Sequence, residues 1–442
     1  MASRGQFSSR LGFILAAAGS AVGLGNIWGF PTKVAENGGA AFIIMYLAMA
    51  FLLAYPVLMA ELIIGRAKRA NMIDALRSIS GNVMGTIVGS IGAITVMLIL
   101  AFYAIVAGWM LSYLVEALLS VINVSVPWLT ADSITRNLIF TAAFLVFTCI
   151  VVIGGVSAGI ERWSVRLMPT LFVLMLLLIV YVSIQPGAIQ GWKTLLVPDV
   201  SRVLSPSLML DAMGQAFFSM SLGVGTMLVY GSYVRKQENL PSLGASVALV
   251  DIGVAILAGM LIIPAMYVAL NNGVEIFNEN GSLISGPTLI FSVLPSLFES
   301  IGYVGTVIAS AFFLLMVIAA LTSSISMLEV PVSYMVDAKK FSRNRATQII
   351  TFVVFIASLV IVFNFGALFG LVITITTEYS QPLLGLLLCI FAGWIWKRNE
   401  ILNELKNGND QAENSWFWKI WPWYVKLLCP LFIGLNFYFS VL

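Results

Sequence analysis

Hydrophobic positions along this chain come in long runs, broken by short stretches rich in charge, glycine or proline. About twenty apolar residues let a helix cross the hydrocarbon of a bilayer. On that measure, spans fall at 11–35, 39–65, 88–121, 137–154, 165–184, 208–234, 243–270, 303–335, 347–364, 367–396 and 421–441. The first and sixth runs are interrupted near the middle. One reads Gly19-Ser20-Ala21-Val22-Gly23-Leu24-Gly25-Asn26, the other Ser219-Met220-Ser221-Leu222-Gly223-Val224-Gly225-Thr226. A helix broken at membrane depth exposes backbone groups that lipid cannot satisfy, so it survives only where it lines a cavity or binds something. Paired breaks in corresponding positions of two halves point to a secondary transporter's binding site.

The pattern predicts an all-α polytopic membrane protein of eleven transmembrane helices, with helices 1 and 6 unwound at mid-membrane. Residues 1–184 form a first repeat of five spans, and 207–396 a second. With an odd number of spans in each repeat, the second is inverted relative to the first, giving a 5+5 inverted repeat. An external linker at 185–206 joins them, an external loop at 271–302 serves as a lid, and 397–442 holds a cytoplasmic loop and the eleventh helix.

Composition supports this picture. Sixty per cent of the 442 residues are hydrophobic and 10% charged, far from the balance of soluble domains. The small residues near Ala21 resemble a signal-peptide cleavage site. The apolar run continues through Phe30, so an uncleaved first span is expected. Placing the N-terminus in the cytoplasm leaves Lys33, Arg136, Lys193 and Arg202 outside, and most other Lys and Arg inside, among them Arg66, Lys68, Arg162, Arg166, Lys339, Lys340, Lys397 and Arg398. That asymmetry satisfies the positive-inside rule and sends the C-terminus outside. A net charge of +3 says little about partners; lipid is expected, nucleic acid is not, and a homodimer stays open. Cys149, Cys389 and Cys429 sit singly in apolar segments and read as inert thiols. With no histidine, any proton coupling would run through carboxylates.

The run from Arg10-Leu11-Gly12 through Gly23-Leu24-Gly25-Asn26-Ile27-Trp28-Gly29-Phe30-Pro31 to Glu36-Asn37-Gly38-Gly39 resembles helix one of the neurotransmitter:sodium symporters. Ser221-Leu222-Gly223-Val224-Gly225 and Leu321-Thr322-Ser323-Ser324 extend the resemblance over helices one to ten. It implies the leucine-transporter fold, sodium-driven uptake of an amino acid or related amine by alternating access, and a bacterial inner membrane, where eleven-helix members are common.

Sodium is a hard cation and prefers oxygen, which unwound backbone and hydroxyls supply. The resemblance implies one sodium site built from the carbonyls of Gly19, Val22 and Ala319 with the hydroxyls of Thr322 and Ser323. A second would use the Ala21 carbonyl, Asn26 and Ser219, completed by the substrate carboxylate. Asp251, an acid well inside the seventh span, is a functional residue by default. It either ligates sodium or replaces a bound chloride, and chloride independence is expected. Gly23 stands where monoamine carriers have an aspartate, leaving room for a substrate carboxylate that Tyr103 would engage. Pocket walls would come from Leu24, Gly25, Ile99, Phe218, Ser221, Val224, Ser324 and Met327, which suit a hydrophobic side chain.

The outer gate departs from the family: Gly29 replaces its arginine, and helix ten reads Gly370-Leu371-Val372-Ile373 where an aspartate is usual. Closure would fall to Phe218, Tyr103 and packing, helped by Gln215. At the inner gate Arg4 would pair with Asp337, beside Phe7 and Tyr233. Glu61 would cap the unwound part of helix six, Glu329 would face the inner pathway or a structural partner, and Glu378 is an unexplained intramembrane acid. Three other readings compete: a proton-coupled or uncoupled carrier, a nutrient sensor with little transport, and a channel. The chain is not expected to be an enzyme, since no nucleophile, base or metal motif is present.

Overall fold

A computed structural model describes residues 5–198, 205–279, 283–284 and 286–441, and its regular structure is helical. The first interrupted run forms α1 (Arg10–Ala21) and α2 (Gly25–Glu36), bent by 60° at the break. Then come α3 (Ala40–Lys68), α4 (Met72–Ser80), α5 (Val83–Val121), α6 (Ile134–Ile153), α7 (Val156–Ser183) and α8 (Ala188–Leu196). The second interrupted run gives α9 (Pro206–Ser219) and α10 (Thr226–Gly231). The rest are α11 (Leu240–Asn271), α12 (286–300), α13 (Tyr303–Asp337), α14 (Arg343–Phe363), α15 (Phe365–Ile395), α16 (Arg398–Lys406) and α17 (Trp416–Phe439).

Local sequence sets the ends. Ser9, Asn71, Asn82, Ser133, Ser205 and Asn239 each accept a backbone N–H of the first turn they precede, the side-chain capping these residue types favour. The linker expected at 185–206 holds α8, the lid loop at 271–302 holds α12, and the polar stretch after α3 folds into the amphipathic α4. Two spans begin about five residues earlier than the apolar runs suggest, at Val83 and Trp416.

Among the described residues, nine helices are long and apolar enough to cross a membrane, and ten if α1 and α2 count as one span. The expected count of eleven does not emerge from length and composition, because the second interrupted run is divided into arms of 14 and 6 residues. The core is one continuous apolar cluster. Within it α13 runs along α5, and α11 packs against α1 and α8.

Candidate functional site

The two breaks face each other in the middle of the bundle. After α1 the chain turns at Val22 into extended backbone before helical structure resumes at Gly25. The second break runs from Met220 to Gly225, with Ser221 at φ 51°, Gly223 at φ 90° and Gly225 at φ 80°. Those angles favour glycine, which is why the glycines at 223 and 225 can open the helix. Opening it exposes amide donors. Glu61 of α3 answers them: its carboxylate accepts the N–H of Gly223 at 2.7 Å and of Leu228 at 3.1 Å. The expected cap is therefore in place.

Between the breaks lies a cavity of about 160 Å³. Ala21, Gly23, Leu24, Gly25, Ile99, Tyr103, Phe218, Ser221, Val224 and Met327, all expected at a substrate site, line it. Asn26 and Ser323, read as sodium ligands, reach it too. Trp28, Val96, Phe102, Ile373, Thr377 and Gln381 complete the wall without having been anticipated. A signal existed for two of them. Thr377 and Gln381 are polar, four residues apart, and so on one face of an apolar helix. Ser324 goes elsewhere: its hydroxyl lies 2.9 Å from Thr148 Oγ1 on α6.

Gly23 borders the most polar corner of the cavity. A Cβ there would lie 2.9 Å from Ser323 Oγ and 3.1 Å from the Tyr103 hydroxyl. A larger side chain would fill the polar corner of the cavity. The Tyr103 hydroxyl sits against Ser323 and the Leu24 backbone, yet it is buried without a hydrogen-bond partner of good geometry among the described residues. A buried polar group left unmatched is costly, so this hydroxyl has capacity for a further partner.

Two oxygen clusters flank the corner. In the first, Ser323 Oγ donates toward the carbonyls of Val22 at 2.8 Å and Gly19 at 3.3 Å. Thr322 Oγ1 donates to Ala319 O at 3.1 Å, and a Cβ on Gly19 would meet Thr322 Cβ at 3.0 Å. All five residues expected at one sodium site thus meet across α1 and α13. In the second, the Asp251 carboxylate accepts from Asn26 Nδ2 at 2.8 Å and from Ser219 Oγ at 2.7 Å. Tyr46 donates to Ser219 Oγ at 3.4 Å. Ser219 stands behind the cavity wall, and Ala21 borders the cavity. No group of three His, Cys, Asp or Glu side chains capable of holding a metal occurs among the described residues. Carbonyls, hydroxyls, one amide and one carboxylate suit a hard monovalent cation rather than a transition metal.

The ends of the bundle differ. At the end where the chain begins, Tyr233 donates its hydroxyl to Glu329 Oε1 at 2.6 Å, and Arg343 pairs with Glu329 at 2.5 Å. That gives Glu329 a structural partner. Phe7 packs on Phe13, Tyr230 and Tyr233. Glu161 of α7 accepts hydrogen bonds from the N–H and hydroxyl groups of both Ser8 and Ser9. Arg4, the expected partner of Asp337, lies outside the described residues. At the opposite end Gln215 Nε2 donates to Gly25 O at 2.9 Å, tying α9 to α2. Lys33 pairs with Asp211 at 2.8 Å. Phe218, 39% exposed, lines both the central cavity and an outer one of about 430 Å³. Glu378 is exposed, in a side cavity bordered by Phe218, Gln381 and Asn436.

The sequence profile of the Sodium:neurotransmitter symporter family matches residues 4–137 and 130–442. An uncharacterized sodium-dependent transporter of Bacillus subtilis is 35% identical, the alignment covering 98% of this chain and 96% of that protein. Another from Haemophilus influenzae is 31% identical, covering 98% and 97%. The bovine sodium- and chloride-dependent taurine transporter is 25% identical over 96% of this chain and 77% of its own length. The crystal structure of MhsT in complex with L-phenylalanine superposes with a TM-score of 0.85, at 35% identity and with all of both chains covered. Matched from end to end by that profile and laid out on the same helical frame, the chain belongs to the sodium:neurotransmitter symporter family, whose members are sodium-coupled transporters and not enzymes.

Proposed function

We propose that this protein imports a zwitterionic, hydrophobic amino acid by sodium symport, without a requirement for chloride. The observation that carries the reading is the unmatched Tyr103 hydroxyl beside Gly23. There the absence of a side chain leaves space for a carboxylate next to the Asn26–Ser219–Asp251 cluster. The rest of the wall is largely apolar: Leu24, Val96, Ile99, Phe102, Val224, Met327 and Ile373. That lining, and the phenylalanine held by MhsT, support a hydrophobic side chain. The taurine and γ-aminobutyrate carriers among the relatives belong in the test panel.

One sodium is held by Gly19, Val22, Ala319, Thr322 and Ser323. The other is held by the Ala21 carbonyl, Asn26 and Ser219, with the substrate carboxylate as a shared ligand that couples the two cargoes. Asp251 touches both side chains of that second site. When ionised it supplies there the kind of negative charge that a bound chloride would, which supports chloride independence. The positive-inside charge distribution supports a cytoplasmic N-terminus; on that orientation the end sealed by Glu329 is the inner gate, and Phe218 with Gln215 the outer one.

Sodium and substrate act by binding the outward and inward states with different affinity. Each sodium moving down 100 mV contributes about 2.3 kcal/mol. Two contribute roughly 4.6 kcal/mol, or about three decades of accumulation of a zwitterion.

The test is uptake into proteoliposomes of the twenty amino acids, taurine and γ-aminobutyrate, with sodium or choline outside and chloride or gluconate throughout. Accumulation of one or a few hydrophobic amino acids, dependent on sodium and indifferent to chloride, is expected. A folded protein that accumulates none of them with sodium would overturn the proposal; accumulation driven by a proton gradient in choline would put the proton-coupled reading in its place.

A further inference from the structure

Where α15 ends and α17 begins, the chain builds an aromatic and basic pocket that transport does not use. Trp394-Ile395 closes α15 and Trp396-Lys397 leads to Arg398 at the start of α16, while Trp416-Phe417-Trp418-Lys419 with Trp421-Pro422-Trp423-Tyr424-Val425-Lys426 opens α17. α15 and α17 approach so closely that a Cβ on Gly393 would lie 2.8 Å from Lys426 Cα. A cavity of about 210 Å³ remains between them, lined by Trp396, Arg398, Trp421, Trp423 and Lys426 among others.

Its cations are held by rings. The Lys426 ammonium lies 4.4 Å from the Trp394 ring and 6.0 Å from that of Trp423. The Arg398 guanidinium lies 5.1 Å from Trp418. Among the described residues neither cation pairs with a carboxylate, whereas nearby Lys68 reaches Glu400 at 3.7 Å and Lys406 reaches Glu413 at 2.7 Å. Trp394, Trp416 and Trp423 are all exposed.

We propose that this pocket binds the phosphodiester headgroup of an anionic phospholipid, with the phosphate between Lys426 and Arg398 and the glycerol and upper acyl chains against the exposed tryptophans. Tryptophan is favoured at the boundary between headgroup and hydrocarbon, and basic pockets between membrane helices recognise anionic headgroups. A zwitterionic choline lipid fits poorly. Its own cation would enter a site where lysine already occupies the aromatic cage and arginine stands close by. A free phosphate would satisfy the charges but leave the exposed indole surface uncovered. The inference goes beyond the transport reading, taking from it only that this end of the bundle lies at a membrane interface.

The test uses the full chain, stripped of lipid in detergent, with binding of phosphatidylglycerol, phosphatidylcholine of the same acyl chains, and glycerol 3-phosphate followed by native mass spectrometry. Phosphatidylglycerol is expected to bind preferentially. The double variant Lys426→Gln/Arg398→Gln should bind it roughly 10- to 30-fold more weakly, while Lys339→Gln/Lys340→Gln, which removes two cations elsewhere, should bind as the parent does. Lys426→Arg, which keeps the charge, should retain binding, so that loss of fold is told apart from loss of the site. Equal binding of the choline lipid, equal loss in both double variants, or competition by glycerol 3-phosphate as strong as by the lipid would each overturn the proposal. Amino acid uptake is a separate readout, so failure here leaves the transport reading standing, and the converse holds.

Discussion

The two ends of the bundle close in different ways. At the end where the chain begins two buried carboxylates gather the partners: Glu329 is fully buried under Arg343 and Tyr233, and buried Glu161 draws in the exposed Ser8 and Ser9. Arg235 adds bonds from its guanidinium to the carbonyls of Phe7 and Ser8. At the outer end the ion pair between Lys33 and Asp211 is exposed, with side chains 40% and 34% accessible. Asn37 Nδ2 adds a bond to Asp211 at 3.2 Å, and Gln215 and the ring of Phe218 stand beside them. Buried charges are costly to separate from their partners, whereas exposed pairs contribute little. The end sealed by Glu329 is therefore the more firmly held, and on the proposed orientation the opposite, lighter end is the one expected to open first. Gly29, with no side chain, adds no buried ion pair at that end, where the described charges are the part-exposed Lys33 and Asp211.

Breaking the inner end should have the largest effect. Glu329→Gln leaves Arg343 facing the interior without its counter-charge and should cost about 3–5 kcal/mol. It would be seen as a lower melting temperature and as faster labelling of cysteines placed beside Tyr233. Labelling unchanged from the parent would contradict the inner-seal assignment.

The midpoint between the two ends comes next. Tyr103→Phe removes a hydroxyl that makes no hydrogen bond of good geometry among the described residues, so stability should hardly change. Affinity for the amino acid should fall by about 10- to 100-fold, the value of a hydrogen bond of roughly 1.5–3 kcal/mol to a carboxylate. Equilibrium binding at saturating sodium measures this, and a loss of stability without loss of affinity would mean that the hydroxyl is structural. Glu161→Gln keeps the shape but gives up the charge that four donors share. About 1–2 kcal/mol of local opening is expected, read as faster amide exchange at Ser8 and Ser9 with the rest of α7 unaffected. The smallest effect belongs to Lys33→Ala, no more than about 1 kcal/mol. A melting shift there as large as that of Glu329→Gln would erase the contrast between the ends.

Much of the site could be read from the chain because its elements contradict their surroundings. Glycines and serines inside apolar spans mark both breaks, and acids such as Glu61 and Asp251 inside apolar helices announce that something must satisfy them. What stayed hidden depends on rotation and on distant approach. Ser323 and Ser324 are neighbours in sequence, but a helix turns by about 100° per residue. One hydroxyl therefore meets the carbonyls of the first break and the other meets Thr148. Glu161 reads as an ordinary charge beside Arg162, and only the approach of the N-terminal segment gives it four donors. The second interrupted run was legible as a break, yet its 6-residue arm is too short to count as a span. Cys389 and Cys429, single in sequence, meet between α15 and α17 as free thiols.

The claim on which the rest depends is that sodium moves with the substrate, and charge movement tests it most directly. Because the proposed substrate is a zwitterion, any current that it evokes must be carried by the ion. Proteoliposomes on a solid-supported membrane, given L-phenylalanine or whichever hydrophobic amino acid binds, should show a substrate-evoked current in sodium chloride, the same current in sodium gluconate, and none in choline chloride. A current that persists in choline, or a substrate that is taken up in sodium without any current, would contradict the account.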